Sequence, residues 1–175
     1  MSEKKLEGAG LRGQVAGKTS LSTVGKAGKG LTYRGYPIEI LSEKAKFEEV
    51  AYLLMYGALP NQMEFNEYSN KLISMRALPE SLIEVLERIP AEAHPMDVMR
   101  TGCSMLGNIE PEGDFSNQQE SADRILATMA SIIVYWYKYS HEGVKVNTET
   151  DNTTIGGHFL SLLHGKDANE DQIRC

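Results

Sequence analysis

Cysteine is scarce: the chain has two in 175 residues, Cys103 and Cys175, and they lie far apart. That is no disulfide framework, and it places the protein in a reducing compartment. No apolar run reaches the roughly 20 residues that a bilayer crossing needs. The most apolar stretch, residues 125–137, stops at Arg124 on one side and Lys138 on the other. The opening residues Met-Ser-Glu-Lys-Lys-Leu-Glu-Gly lack the apolar segment of a secretion signal, so the expected location is cytoplasmic, with no membrane partner. Excess positive charge is missing too. The net charge is -6, and lysine and arginine are dispersed without a basic stripe or interleaved aromatics, which argues against nucleic acid. Of the four histidines, His158 and His164 stand six apart and point to different sides of a helix. A zinc helix needs an i, i+4 pair, so no metal is expected.

What is present reads as a glycine-rich start followed by helices. Eight of the 16 glycines fall in residues 1–37, between short alternating pieces such as Ser20-Leu-Ser-Thr-Val24 and Leu31-Thr-Tyr33. This pattern predicts a tail and a small β-hairpin over 1–37, ahead of a helical region over 38–175. Within the tail, Gly13-Gln-Val-Ala-Gly17-Lys18-Thr19 imitates a phosphate-binding loop but has three residues between its glycines instead of four. The glycine-rich, strand-like sequence that follows also lacks the helix such a loop must open.

After Pro37 the period becomes helical. Phe47, Val50, Ala51 and Leu54 form one stripe, Phe65, Tyr68, Leu72 and Met75 a second, and Leu82, Val85, Leu86 and Ile89 a third. A fourth helix opens at His94-Pro95, with proline suited to the first turn, and carries Met99, Gly102, Cys103 and Leu106 on one side. Residues 107–120 read as a polar loop. The thirteen uncharged residues 125–137 form the central helix, apolar all round and therefore built to be wrapped by other protein. Its start is signalled by Ser116 and Gln119 at capping-box spacing and by the acidic Glu120 and Asp123 in the opening turns, where the helix dipole favours negative charge, and its end by Lys138, His141 and Gly143. Ile155 to His164 is a last short helix, and 169–175 looks like the opening of another, so the chain reads as an incomplete piece.

These residues assemble no catalytic constellation. His94 is best explained as a helix-start residue bonding local backbone, with a ligand-facing role as the alternative. Cys103 reads as an inert core thiol. Asp97 and Arg100, three apart, read as a structural ion pair closing a buried turn, with a surface pair as the alternative. The Tyr135-Trp-Tyr-Lys-Tyr139 cluster reads as core with hydroxyl tips reaching polar partners.

Four motifs carry a family resemblance: Leu31-Thr-Tyr-Arg-Gly-Tyr-Pro-Ile38; Phe47-Glu-Glu-Val-Ala-Tyr-Leu-Leu54 with Leu59-Pro60; His94-Pro-Met-Asp-Val-Met-Arg-Thr-Gly102; and Tyr135-Trp-Tyr-Lys-Tyr-Ser-His141 followed by Gly156-Gly-His-Phe-Leu160. In this order and spacing they resemble the N-terminal part of the citrate synthase family, nearest its bacterial 2-methylcitrate synthases. The resemblance implies an all-α fold, the first portion of the large helical domain, preceded by the β-hairpin. It implies an acyltransferase that joins oxaloacetate to propionyl-CoA, or to acetyl-CoA in the citrate version, with the CoA thioester as substrate and no separate cofactor. It implies a homo-oligomer. It also implies that the carboxylate base, the carbonyl-polarising histidines and the dicarboxylate-clamping arginines lie beyond Cys175. No catalytic residue is assigned within the chain, which is expected to be inactive alone. One substrate contact is carried over, at Lys71, although Lys71 lies off the apolar stripe of its helix as a solvated lysine would. Relatives inhibited by NADH carry two arginines shortly before the His-Pro-Met motif. Here Ile89-Pro-Ala-Glu-Ala93 stands there, which favours the 2-methylcitrate branch. The competing reading is a non-catalytic helical association module.

Overall fold

A computed structural model describes residues 17–23, 30–166 and 169. Most of the expected phosphate-loop imitation, most of the opening helix after residue 169, and Cys175 fall outside them. The described residues form a small antiparallel sheet followed by seven helices. β1 (Ser22–Thr23) pairs with β2 (Thr32–Tyr33) as the expected hairpin, with Ser22 opposite Tyr33 and Thr23 opposite Thr32. A third strand, β3 (Tyr36–Pro37), extends it. The turn between β2 and β3 is made by Arg34 at φ 48° and Gly35 at φ 93°. Two successive positive φ values suit the twist of a two-residue hairpin, and glycine takes the more strained place.

α1 (Ile38–Lys44) is a short helix that the apolar stripes did not announce, because it buries Leu41 alone. α2 (Phe47–Tyr56) and α3 (Gln62–Ser74) follow the first two stripes. Asn61 starts α3 by accepting from the Met63 and Glu64 amides, and Glu64 returns to the Asn61 N–H, a reciprocal cap. α4 (Glu80–Leu86) and α5 (Pro95–Ile109) complete the pre-central helices. α5 buries Val98, Gly102 and Leu106; Gly102 and Leu106 belong to the predicted stripe, while Met99 and Cys103 are half-buried and Val98 takes the inward place beside them.

α6 (Gln118–Glu142) is the predicted central helix, and Gly143 closes it in the left-handed conformation. Its start differs from expectation. Ser116 does not cap it. Residues Phe115–Asn117 form a 3-10 turn capped by Asp114, whose side chain accepts from the Ser116 N–H, and the first residue before α6, Asn117, makes no side-chain cap. An aspartate two residues earlier captures the donor that the capping box would have used. α7 (Ile155–His164) then packs back on α6. One core cluster gathers Leu82, Leu86, Val98, Leu106, Ile132, Tyr135 and Trp136 where α4, α5 and α6 meet. A smaller cluster joins Tyr68, Leu72 and Ala127 between α3 and α6.

The described residues wrap α6 on three sides. Ile132, Val134, Tyr135 and Trp136 are buried, whereas Ile125, Met129 and Tyr137 are about two-fifths exposed and Ile133 is half-buried between them. At a spacing of four these side chains make one uncovered apolar stripe. No helix among the described residues is long and apolar enough to cross a membrane.

Candidate functional site

Two buried polar groups and one cleft are the places where this chain could do chemistry. The first group is centred on Asp123, fully buried in the second turn of α6. Its carboxylate accepts from Tyr56 Oη at 2.7 Å, from Tyr68 Oη at 3.1 Å and from Lys71 Nζ at 2.8 Å. Lys71 is also 2.6 Å from Glu120. Tyr52, Tyr56 and Tyr68 pack ring on ring around them, the first two stacked with centroids 4.4 Å apart. Burial and the adjacent carboxylate push the Tyr56 hydroxyl up to about 12 and raise Tyr68 further. For Lys71, burial works against the charge, but hydrogen bonds to Asp123 and Glu120 outweigh it and hold the amine above its ordinary value. Lys71 is thus the counter-ion of a buried aspartate, with its side chain 31% exposed. Sequence reasoning placed Asp123 only as a favourable charge near a helix start. Its burial has no periodic signature, because one acid in an apolar helix reads the same whether it faces water or a lysine.

The second group surrounds His158 on α7, which is fully buried and was read in the sequence only as a histidine with no metal partner. Its Nε2 lies 3.0 Å from Ser131 Oγ on α6, and its Nδ1 lies 2.8 Å from Thr150 Oγ1 in the strap between α6 and α7. Arg76, just after α3 and 1% exposed, donates to the carbonyls of Thr150, Asn152 and Thr154 at 3.2, 2.5 and 3.2 Å. Glu48 on α2, also buried, accepts the Ile155 N–H at 2.7 Å and so caps α7 from across the fold. Burial, seconded by the Arg76 charge, pushes the His158 imidazole down to about 4, so the ring is neutral at ordinary pH.

The cleft, about 680 Å³, opens between the ends of α3 and α5 and the start of α6. Arg124 forms one wall and spans Glu110 in a two-point bond at 2.8 and 2.7 Å, while its other nitrogen donates to the carbonyls of Met75 and Ala77. Four Arg124 N–H groups are thus engaged, and the hydrogen bonds it donates hold the Glu110 carboxyl below its ordinary range. Cys103 lines the same cleft half-buried, and burial pushes its thiol up, away from thiolate reactivity.

The other expectations fall out as follows. His94 Nδ1 accepts the Met96 N–H at 3.2 Å, the local backbone role. Tyr135 donates to Glu87 at 2.7 Å and Trp136 to the Ile89 carbonyl at 3.3 Å, as core aromatics with polar tips. Asp97 and Arg100 do pair, at 3.1 Å, but their side chains are 60% and 76% exposed, so the buried-turn reading is replaced by the surface one. The seam of α5 runs along Val98, Gly102 and Leu106, which turns both charged residues outward. Among the described residues no cluster of histidine, cysteine and carboxylate side chains could hold a metal ion. Neither Asp123 nor His158, the buried acid and base of these groups, lines the cleft; the acids that do are Glu110, Glu112 and Glu120.

The fold and these motifs define a class: the chain belongs to the citrate synthase family, whose model, described as citrate synthase, C-terminal domain, matches residues 10–175. Within that family it is 65% identical over 163 residues to the 2-methylcitrate synthase of Shewanella oneidensis, covering 93% of this chain and 44% of that protein. It is 31% identical over 169 residues to citrate synthase 2 of Bacillus subtilis, covering 95% and 45%. Among solved structures, the citrate synthase of Thermotoga maritima superposes with a TM-score of 0.78 at 29% identity, covering 94% of this chain and 43% of that one. The chain thus spans less than half the length of the relatives it matches.

Proposed function

We propose that this chain is the N-terminal part of a 2-methylcitrate synthase. In the whole protein, propionyl-CoA is deprotonated beside its thioester carbonyl, the resulting carbanion attacks the ketone of oxaloacetate, and water then releases CoA and 2-methylcitrate. The observation that carries the reading is the 65% identity, over 163 residues, to a 2-methylcitrate synthase. The reaction needs a base, carbonyl-polarising groups and a dicarboxylate clamp. The buried acid and imidazole described above are bonded to partners, Asp123 to three donors and His158 between two hydroxyls, which supports placing the working groups elsewhere in the whole protein.

The test is CoA release by the intact protein with oxaloacetate and either thioester. A higher kcat/KM for propionyl-CoA is expected, and a preference for acetyl-CoA would move the protein to the citrate branch. The 175 residues alone are expected to release no CoA above background, and measurable release would overturn the partial-enzyme reading. The protein is proposed to be cytoplasmic and a homo-oligomer, a reading supported by the uncovered stripe Ile125, Met129, Ile133 and Tyr137.

For Lys71 the proposed substrate contact uses its third N–H, the other two facing Asp123 and Glu120. Lys71→Met in the intact enzyme is expected to raise KM for oxaloacetate. A loss of stability with KM unchanged would leave Lys71 to Asp123 alone.

A further inference from the structure

The hydroxyl and imidazole protons of the His158 group can be placed, because one partner, the Arg76 carbonyl, can only accept. Ser131 Oγ–H donates to the Arg76 carbonyl at 2.9 Å, so toward His158 that oxygen must accept, and Nε2 carries the ring proton. Nδ1 is then bare and accepts from Thr150 Oγ1–H, while Thr150 Oγ1 in turn faces Arg76 Nη1 at 3.4 Å. The bonds run in one direction, from the Arg76 guanidinium through Thr150, His158 and Ser131 to the Arg76 carbonyl. They form a closed circuit on one residue.

This circuit, with the three carbonyls gripped by Arg76, fastens residues 147–154, a stretch with no helix or strand of its own. A second ring proton has no place in it. On Nδ1 it would meet the Thr150 hydroxyl hydrogen, and an imidazolium would face the Arg76 charge inside the protein, with the guanidinium already held by burial below its ordinary value. The geometry points to a proton-operated latch: one proton on His158 breaks the circuit and releases strap 147–154 from Arg76 and α6 while the other helices stay packed.

The charged neighbours are few. From the turn after α3 the ring meets Arg76. From α2 comes Glu48, which acts on Arg76 and holds the Ile155 N–H. The strap carries Glu149 and Asp151, both exposed, and α6 presents the uncharged Ser131. Glu48 is therefore the rival trigger.

Hydrogen exchange by mass spectrometry on peptides spanning 144–164 of the whole protein, with rates referred to the unstructured-chain rate at each pH, tests the latch. Strap protection is expected to fall at least tenfold between pH 6 and pH 4 while α5 peptides keep theirs. His158→Gln is expected to remove that pH step, and Glu48→Gln, which keeps the Ile155 acceptor, to retain it. Thr150→Val, which deletes the hydroxyl that occupies Nδ1, is expected to move the step to higher pH. Should His158→Gln prove too unstable to handle, the Thr150→Val shift decides alone. A step that survives His158→Gln, disappears with Glu48→Gln, stays unmoved by Thr150→Val, or involves all helices together would overturn the latch.

Discussion

A buried charge is the dearest thing a single residue can carry, and Asp123 meets that cost with two tyrosine hydroxyls and one ammonium. Asp123→Asn keeps the shape and removes the charge, leaving Lys71 facing Glu120. Breaking a buried pair costs about 3–5 kcal/mol, but Lys71 is 31% exposed and keeps a second carboxylate, so a loss of about 2 kcal/mol is expected in urea unfolding. Tyr56→Phe, which removes one hydrogen bond, is expected to cost about 1 kcal/mol. His158 sets a pH dependence of known sign. Its folded value of about 4 lies below the ordinary 6.5, so the unfolded chain binds the proton more readily between those values. The stability it contributes is complete above pH 6.5 and is lost as the pH falls toward 4, on the order of 3 kcal/mol in all. Unfolding followed in denaturant across that window, for the protein and for His158→Gln, checks this, the variant being expected to show the flatter profile.

Where α5 packs on α6, a side chain on Gly102 would put its Cβ 2.6 Å from Ile132 Cγ2. A β-branched neighbour cannot swing away, so Gly102→Ala is expected to destabilise by about 1–3 kcal/mol despite the higher helix propensity of alanine, with the loss read from thermal unfolding. Asn61→Ala, which removes the side-chain oxygen that accepts from two opening amides of α3, is expected to cost about 1 kcal/mol in the same assay.

The elements were legible in proportion to the apolar side chains they bury. α2, α3, α4, α5, α6 and α7 announce themselves by stripes or by proline and glycine boundaries. α1, with Leu41 its one buried side chain, and β3, two residues long, carry too little pattern to be seen. The polar groups were harder. Lys71, Asp123, Arg76 and Glu48 come from three separate segments, and nothing in the spacing of a charged residue tells which distant partner will meet it. The buried-turn expectation for Asp97 and Arg100 failed for the same reason: an i, i+3 pair forms equally well on either face of a helix, and the neighbouring Val98 decided which.

For the whole molecule, the question is what covers α6. Its stripe from Ile125 to Tyr137 lies on the same helix as the buried core, and an apolar groove of about 320 Å³ lined by Pro95, Ile133, Trp136, Tyr137, Phe159 and Leu163 adjoins it. The chain by itself is expected to associate, with its mean mass by light scattering rising with concentration. Met129→Lys, which places a charge midway along the stripe, is expected to reduce that rise without loss of helicity. A strict monomer at high concentration would show the stripe to be tolerated in water.

The strap of residues 147–154 is shaped by a grip on main-chain oxygens. Arg76 takes the carbonyls of residues 150, 152 and 154, while the side chains of Glu149, Asp151 and Thr153 between them point to solvent. Those outward positions are open to drift in identity, because no atom of their side chains is counted in the arrangement. The length of the segment has no such licence: adding or deleting one residue shifts every second oxygen out of reach of a guanidinium that cannot follow.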